Sequence, residues 1–253
     1  MQHFRHDGFD IAYLDEGPRD GDPILLVHGF ASTMRINWVQ PGWMKTLGEA
    51  GYRVIAFDHR GHGQTSKSYE TTDYTPSKMA SDAVALLDHL GIEKAHVFGY
   101  SMGARVSAFT ALEYPDRVAT LIFGGLGLGM VEGVGDWDPI ADALNAASLD
   151  DVTHPRGRMF RAFADQTKSD RAALAACIAT SRQELTPDQL ARISQPTLIA
   201  VGTTDDIAGA PAPLAAMMPN AQAFDIVGRD HMLSVGDRTF KARALEFLKD
   251  HPL

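Results

Sequence analysis

The stretch Gly99-Tyr100-Ser101-Met102-Gly103 sets a serine between glycines two positions away on either side. It directly follows the apolar run Ala95 to Phe98 and directly precedes the Ala-rich stretch 102–113, so it reads as strand, sharp turn, helix. Such a turn lifts the Ser101 hydroxyl above a sheet, and the flanking glycines let neighbouring backbone approach closely. The helix starting there points unpaired N–H groups, that of Met102 included, at developing negative charge. A serine hydroxyl is a poor nucleophile at neutral pH; it needs a base, and the base needs an orienting acid. Both follow in a workable order. Asp205 comes after the run Thr197 to Val201 and the turn Gly202-Thr203-Thr204, and His231 comes after Phe224 to Val227 and Gly228-Arg229-Asp230. A fourth part, His28-Gly29-Phe30, follows the run Ile24 to Val27, and its turn presents the Phe30 N–H toward the same place as that of Met102. Two such donors stabilise a tetrahedral oxyanion by ~3–4 kcal/mol each in known cases.

Other residues compete for these roles. His3, His6 and His251 lie near the ends of the sequence and read as solvated, while His89 and His96 read as surface or packing residues. His28 precedes the loop donor instead of facing the serine, which suits it to holding that loop. His59 and His62 form H-x-x-H, but no third ligand of suitable spacing follows, and the adjoining glycines suit a tight structural loop. Asp206 is the neighbour of Asp205, and only one of the two can point inward; Asp230 leaves the chain in a different direction from His231 and reads as a surface residue. Met130 stands where a dinucleotide-binding G-x-G-x-x-G would need its third glycine, so the Gly124 to Gly129 stretch reads as a loop. Trp38, Trp43, Trp137, Met130, Met159, Phe160 and Phe163 are candidates to line an acyl pocket, with core or cap packing the default for each. Cys177, the single cysteine, reads as a buried, inert thiol; alone, it excludes an intramolecular disulfide and any Cys-rich metal site.

The elements that must position these residues form an alternating series. Phe9 to Leu14 reads as a strand, paired as a hairpin with Gln2 to Arg5. Ile24–Val27, Arg53–Phe57, Ala95–Phe98, Val118–Phe123, Thr197–Val201 and Phe224–Val227 are short apolar runs, as expected of strands buried on both faces. Helical spacing marks 77–90, 102–113 and 238–249, with Gly91 stopping the first and Tyr114-Pro115 the second. Strands separated by crossover helices predict an α/β fold with a mostly parallel sheet covered on both faces. From 126 to 193 the strand runs stop, and Ala-rich helical stretches predict a helical cap inserted into a core made of 1–125 and 194–253. Serine, acid and histidine each fall just past the carboxyl end of a strand, the edge at which ligands bind in open α/β sheets.

Composition agrees with this reading. With 253 residues, the chain can bury a continuous core, and 45% hydrophobic against 22% charged residues is ordinary for a globular protein. A formal charge of −9 repels phosphate backbones and argues against a nucleic-acid binder. No apolar run approaches the ~18 residues of a membrane span. The polar start, Met1 to Asp10, lacks the apolar stretch of a secretory signal, so a cytoplasmic location is expected.

Taken together, these residues resemble the α/β-hydrolase-fold serine hydrolases, and in particular a small, short-capped bacterial group of carboxylesterases, enol-lactone hydrolases, C–C bond hydrolases and cofactor-free perhydrolases. The resemblance is carried by His28-Gly29-Phe30, Asp58-His59-Arg60-Gly61-His62-Gly63, Gly99 to Gly103, Gly202 to Ile207 and Gly228 to His231. It implies Ser101 as nucleophile, His231 as general base and then acid, Asp205 as the orienting carboxylate, and Phe30 and Met102 as backbone oxyanion donors. The family's G-x-x-D spacing from Gly202 favours Asp205 over Asp206. Residues 126–193 match only in being a helical cap, where family substrate choice is made. Ala104 replaces a second glycine common in the family, and the lipase-type H-G-G-G is absent. A serine at 101 also argues against dehalogenase and epoxide-hydrolase chemistry, which in this fold uses an aspartate nucleophile.

The expected activity is hydrolysis of small carboxylic esters through an acyl-enzyme, with no cofactor or metal. A small-molecule ester is the expected partner, and the sequence leaves the oligomeric state open. Lactones, vinylogous diketones and peroxide acting on the acyl-enzyme remain alternatives for the same residues, as does a non-catalytic ligand receptor on the same fold.

Overall fold

The computed structural model describes residues 1–253. One eight-stranded sheet runs in the order β1-β2-β4-β3-β5-β6-β7-β8. The strands are β1 (Gln2–His6), β2 (Phe9–Glu16), β3 (Pro23–Val27), β4 (Arg53–Phe57), β5 (Ala95–Tyr100), β6 (Val118–Gly124), β7 (Thr197–Gly202) and β8 (Ala221–Ile226). β1 and β2 form the antiparallel hairpin expected from their alternation, and β2 runs antiparallel to β4; from β4 to β8 every pairing is parallel. Side chains alternate between two cores, as a strand period of two requires. Leu25 and Val27 enter the larger core, packed with α2 (Pro76–His89) and α3 (Met102–Glu113). Ile24 and Leu26 enter the smaller core, packed with α1 (Trp43–Glu49) and the last helix, Arg238–Lys249.

Local chemistry sets where α2 begins. Thr75 caps α2 by accepting the Lys78 N–H, with Pro76 preset at the first helical position. β8 departs from expectation. It starts at Ala221 and ends at Ile226, leaving Val227 outside the sheet and 82% exposed. As an edge strand it pairs only with β7, in a register that begins at Ala221 opposite Thr197, so it is not covered on both faces like the central strands.

Between β6 and β7 the chain forms only helices: α4 (Gly129–Glu132), α5 (Asp138–Asn145), α6 (Pro155–Gln166), α7 (Arg171–Thr180) and α8 (Pro187–Ala191), with a short turn at Leu149–Asp151. α5 packs against both α6 and α7. Buried Arg105 on α3 fastens this stretch to the core, donating to the carbonyls of Gly129, Met130 and Gln183. After β7 come α9 (Pro211–Ala215), α10 (His231–Ser234) and α11 (Arg238–Lys249). No helix is long and apolar enough to cross a membrane.

β3 is flanked by β4 on one side and β5 on the other, so chain order reverses there. The loops leaving β3 and β5 diverge around that point, opening the crevice in which α/β sheets bind ligands. Phe30 and Ser101 sit on those two loops.

Candidate active site

Ser101 occupies the turn from β5 into α3 with φ 54° and ψ −118°, a backbone conformation that a side chain rarely adopts. The turn is possible because its neighbours lack side chains. A Cβ on Gly103 would lie 2.0 Å from the Val27 carbonyl oxygen, and one on Gly99 would lie 2.2 Å from that of Gly103. The Ser101 N–H is held by the Gly124 carbonyl of the adjoining strand at 2.8 Å.

The hydroxyl that this turn raises meets the imidazole. Ser101 Oγ lies 3.1 Å from His231 Nε2, and His231 Nδ1 lies 2.8 Å from Asp205 Oδ2. With a carboxylate on Nδ1, the neutral ring carries its proton there and turns the Nε2 lone pair toward the serine. The other Asp205 oxygen accepts the N–H groups of Ile207 and Ala208 at 2.9 and 3.0 Å. Burial alone would raise the Asp205 carboxyl; the His231 hydrogen bond and charge, with those two amides, outweigh it and hold the group below its ordinary range. Asp206 is exposed. Asp230 is exposed and caps α10, accepting the Met232 and Leu233 N–H groups. Line of approach, tautomer and charge together can pass a proton from a hydroxyl to an imidazole and back.

The loop after β3 runs beside the serine: a Cβ on Gly29 would lie 3.3 Å from Ser101 Cβ. Neither the Phe30 nor the Met102 N–H donates to a protein acceptor. The Asp58–Ser66 loop fixes this arrangement through three bonds. His59 N–H donates to His28 Nε2, Ala31 N–H donates to His62 Nε2, and Met34 N–H donates to Asp58 Oδ1. Asn37 Oδ1 accepts the Gly29 N–H at 2.8 Å. Burial pulls the His28 imidazole down to about 4 and that of His62 to about 3, so both rings stay neutral and can accept these amides. His59 and His62 therefore belong to a structural loop, and no cluster of metal-ligating side chains exists in the chain.

Sequence reasoning passed over Tyr100, Asn37 and Asp58 as individuals. The Tyr100 hydroxyl donates to the His231 carbonyl at 2.5 Å. Tyr100 occupies a variable position of the G-x-S-x-G pattern, and Asn37 stands in no motif, so neither carried a signal; Asp58 stood inside a quoted motif without a role. Among the pocket candidates, Trp137, Met159, Phe160 and Phe163 line a cavity of about 270 Å3 at Ser101 and His231. Trp38 and Trp43 do not. They are fully buried against Phe98 in the smaller core, on the other face of the sheet, and Met130 is buried in the larger core. Cys177 is buried, its thiol pushed up to about 12 by burial.

Residues 22–155 match the family model described as the alpha/beta hydrolase fold. The chain is 28% identical, over 95% of its length and 67% of the relative's, to the dihydrolipoyllysine-residue acetyltransferase component of the acetoin cleaving system of Pseudomonas putida. Further curated relatives, 33–37% identical, are matched over only 32–41% of their own length, so the chain spans about two fifths of them or less. Among solved structures, a hydrolase from Pseudomonas aeruginosa PA01 is 25% identical, with 97% of each chain covered and a TM-score of 0.80. Est816, an N-acyl homoserine lactone degrading enzyme, is 25% identical over 98% of this chain and 100% of its own, with a TM-score of 0.76.

Proposed function

The chain belongs to the alpha/beta hydrolase fold family, and from that premise we propose that it is a serine hydrolase cleaving small carboxylic esters, with residues 126–193 as a cap that shapes the substrate site. The observation that carries this reading is the pair of contacts, 3.1 and 2.8 Å, joining Ser101 through His231 to Asp205.

In the first half-reaction Ser101 Oγ attacks the ester carbonyl carbon while its proton moves to His231 Nε2. The carbonyl oxygen becomes an anion facing the Phe30 and Met102 N–H groups. Asp205 steadies the imidazolium without taking its proton. Collapse re-forms the carbonyl and breaks the bond to the alcohol oxygen, which leaves with the proton from His231. Water then repeats the sequence on the acyl-enzyme, giving its proton to His231 and releasing the acid and free Ser101. Nucleophile, base and oxyanion donors are all protein groups, so the chemistry calls for no metal or cofactor.

Turnover of a short p-nitrophenyl ester and labelling by a fluorophosphonate test the proposal. Wild type should hydrolyse the ester and gain the probe's mass, and Ser101→Ala should do neither. Full turnover by Ser101→Ala overturns the assignment, and tight ligand binding without a mass shift points instead to a non-catalytic receptor.

A lactone is the second reading, favoured by the structural likeness to the lactone-degrading Est816. The same steps would open the ring, with the alcohol still tethered to the acyl group. Parallel turnover of a simple lactone and an acyclic ester distinguishes the two, and including a vinylogous diketone and peroxide covers the C–C hydrolase and perhydrolase alternatives.

A further inference from the structure

Two cavities open on Ser101, and they differ in size and in what else they touch. The smaller, of about 40 Å3, is walled by Met102, Leu126, Val134 and Ile178, with Arg105, and shares Phe30 and Trp137 with the larger. The larger, of about 270 Å3, contains His231 and is walled by Phe30, Ile36, Trp137, Phe160, Phe163 and Val235 among others. We infer that the smaller cavity takes the acyl chain and the larger one the alcohol, so that the substrates are short-acyl esters of aromatic or bulky apolar alcohols. The inference rests on the serine-hydrolase reading above.

The assignment follows from where the proton must go. The departing alcohol oxygen takes its proton from His231 Nε2, so the alcohol must lie on the side of Ser101 that His231 shares. Only the larger of these two cavities contains His231. Water for the second half-reaction must reach the same nitrogen, and the space vacated by the alcohol admits it. The remaining substituent on the carbonyl carbon is the acyl chain, which is left with the cavity on the Met102 side.

Size then sets the substrate class. A water-sized probe occupies ~10–15 Å3, so the smaller cavity holds about three such spheres, which suits an acyl group of two to four carbons. Its walls are tied to α3. Arg105 donates to the carbonyls of Gly129, Met130 and Gln183, tying the stretches next to Val134 and Ile178 to the same helix that Ser101 begins. Arg182, also at this cavity, is engaged by Asp138 at 3.4 Å. The larger cavity exceeds the ~150 Å3 that suffices for benzene. Phe30, Trp137 and Phe160 form a triangle in its wall, with ring centroids 5.5–6.4 Å apart, presenting aromatic faces and edges to an incoming ring.

The test is a two-way substrate scan with Ser101→Ala in parallel: p-nitrophenyl esters from acetyl to decanoyl, and acetates of ethanol, butanol, benzyl alcohol and 2-phenylethanol. For wild type, kcat/KM should peak between acetyl and butyryl and drop at least about tenfold by hexanoyl, and benzyl acetate should exceed ethyl acetate by about tenfold. Ile178→Ala should raise the hexanoyl-to-acetyl ratio about tenfold, and Phe160→Ala should lower the benzyl-to-ethyl ratio without moving the acyl optimum. Val134→Ala serves if Ile178→Ala does not fold. Ser101-dependent turnover that peaks at octanoyl or longer, or an acyl optimum moved by Phe160→Ala and not by the Ile178 or Val134 variants, overturns the division alone. Turnover independent of Ser101 removes the underlying reading and the division with it.

Discussion

The hydroxyl of Tyr100, the residue just before the candidate nucleophile, donates to the backbone carbonyl of His231 at 2.5 Å. The strand that presents Ser101 thus also sets the height of the imidazole that faces it. Both ends of this bond are buried, and burial raises the phenol well above its ordinary range, so it remains a donor throughout the working pH range. Tyr100→Phe leaves a buried carbonyl unpartnered and should cost ~1–3 kcal/mol of stability. It should also lower kcat more than it raises KM, because His231 loses its register with Ser101. Urea unfolding and steady-state kinetics on the same preparation check both parts, and an unchanged kcat would remove Tyr100 from the positioning role.

Two adjacent aspartates should behave differently. Asp205→Asn keeps the shape but alters the tautomer offered to Ser101, and kcat should fall by roughly 10^3–10^4. Asp206→Asn, at an exposed position, should stay within about twofold of wild type. The reverse ranking would mean that the wrong carboxylate has been placed behind the imidazole.

The loop that carries Phe30 depends on Asn37, whose Oδ1 accepts the Gly29 N–H at 2.8 Å. Asn37→Ala should lower stability by ~1–3 kcal/mol and reduce kcat on the order of tenfold, since small displacements of an oxyanion donor are costly. Ester kinetics and thermal melts of the variant supply the comparison; normal kcat would show that the loop holds its shape without this bond.

Acid should destabilise the fold before its carboxylates titrate. Burial lowers His28 and His96 to about 4 and His62 to about 3, whereas the unfolded chain binds these protons near ~6.5. Between those limits the unfolded state carries more protons, so stability falls as pH drops from ~6.5 toward 4. The low-lying Asp205 carboxyl adds its own loss only below the ordinary aspartate value of ~3.9. Urea midpoints measured across this range should decline steadily, and His62→Gln should give a shallower slope. A flat profile between pH 6.5 and 4 would contradict the neutral, amide-accepting histidines.

Arg60 and Asp82 form a fully buried, two-pronged ion pair, with Nε and Nη2 each 2.7 Å from a carboxylate oxygen. Asp82→Ala strands a buried guanidinium and should cost ~3–5 kcal/mol, with little change in activity per folded molecule. Denaturant titration measures the loss, and a cost under ~1 kcal/mol would show that the remaining partner, Asp7, or water compensates.

Much of the scaffold was legible because it is written in local patterns. Continuous apolar runs marked five of the eight strands, alternation marked the β1–β2 hairpin, and 102–113 and 238–249 matched their helices to the residue. The glycines around Ser101 announced a turn that only residues without side chains allow, and the order of serine, aspartate and histidine along the chain suggested one sheet edge. Edge strand β8 was misplaced because its register comes from pairing with β7 and not from its own apolar residues. Tertiary structure alone decided the rest. Ser101 and His231 stand 130 positions apart, and the bonds from Tyr100 and Asn37 depend on segments that no spacing rule connects. The tryptophans make the same point: Trp38, Trp43 and Trp137 look equivalent in sequence, yet two fill the core behind the sheet and one faces the cavity. An apolar side chain seeks burial wherever the fold offers it, and only packing determines which buried space that is.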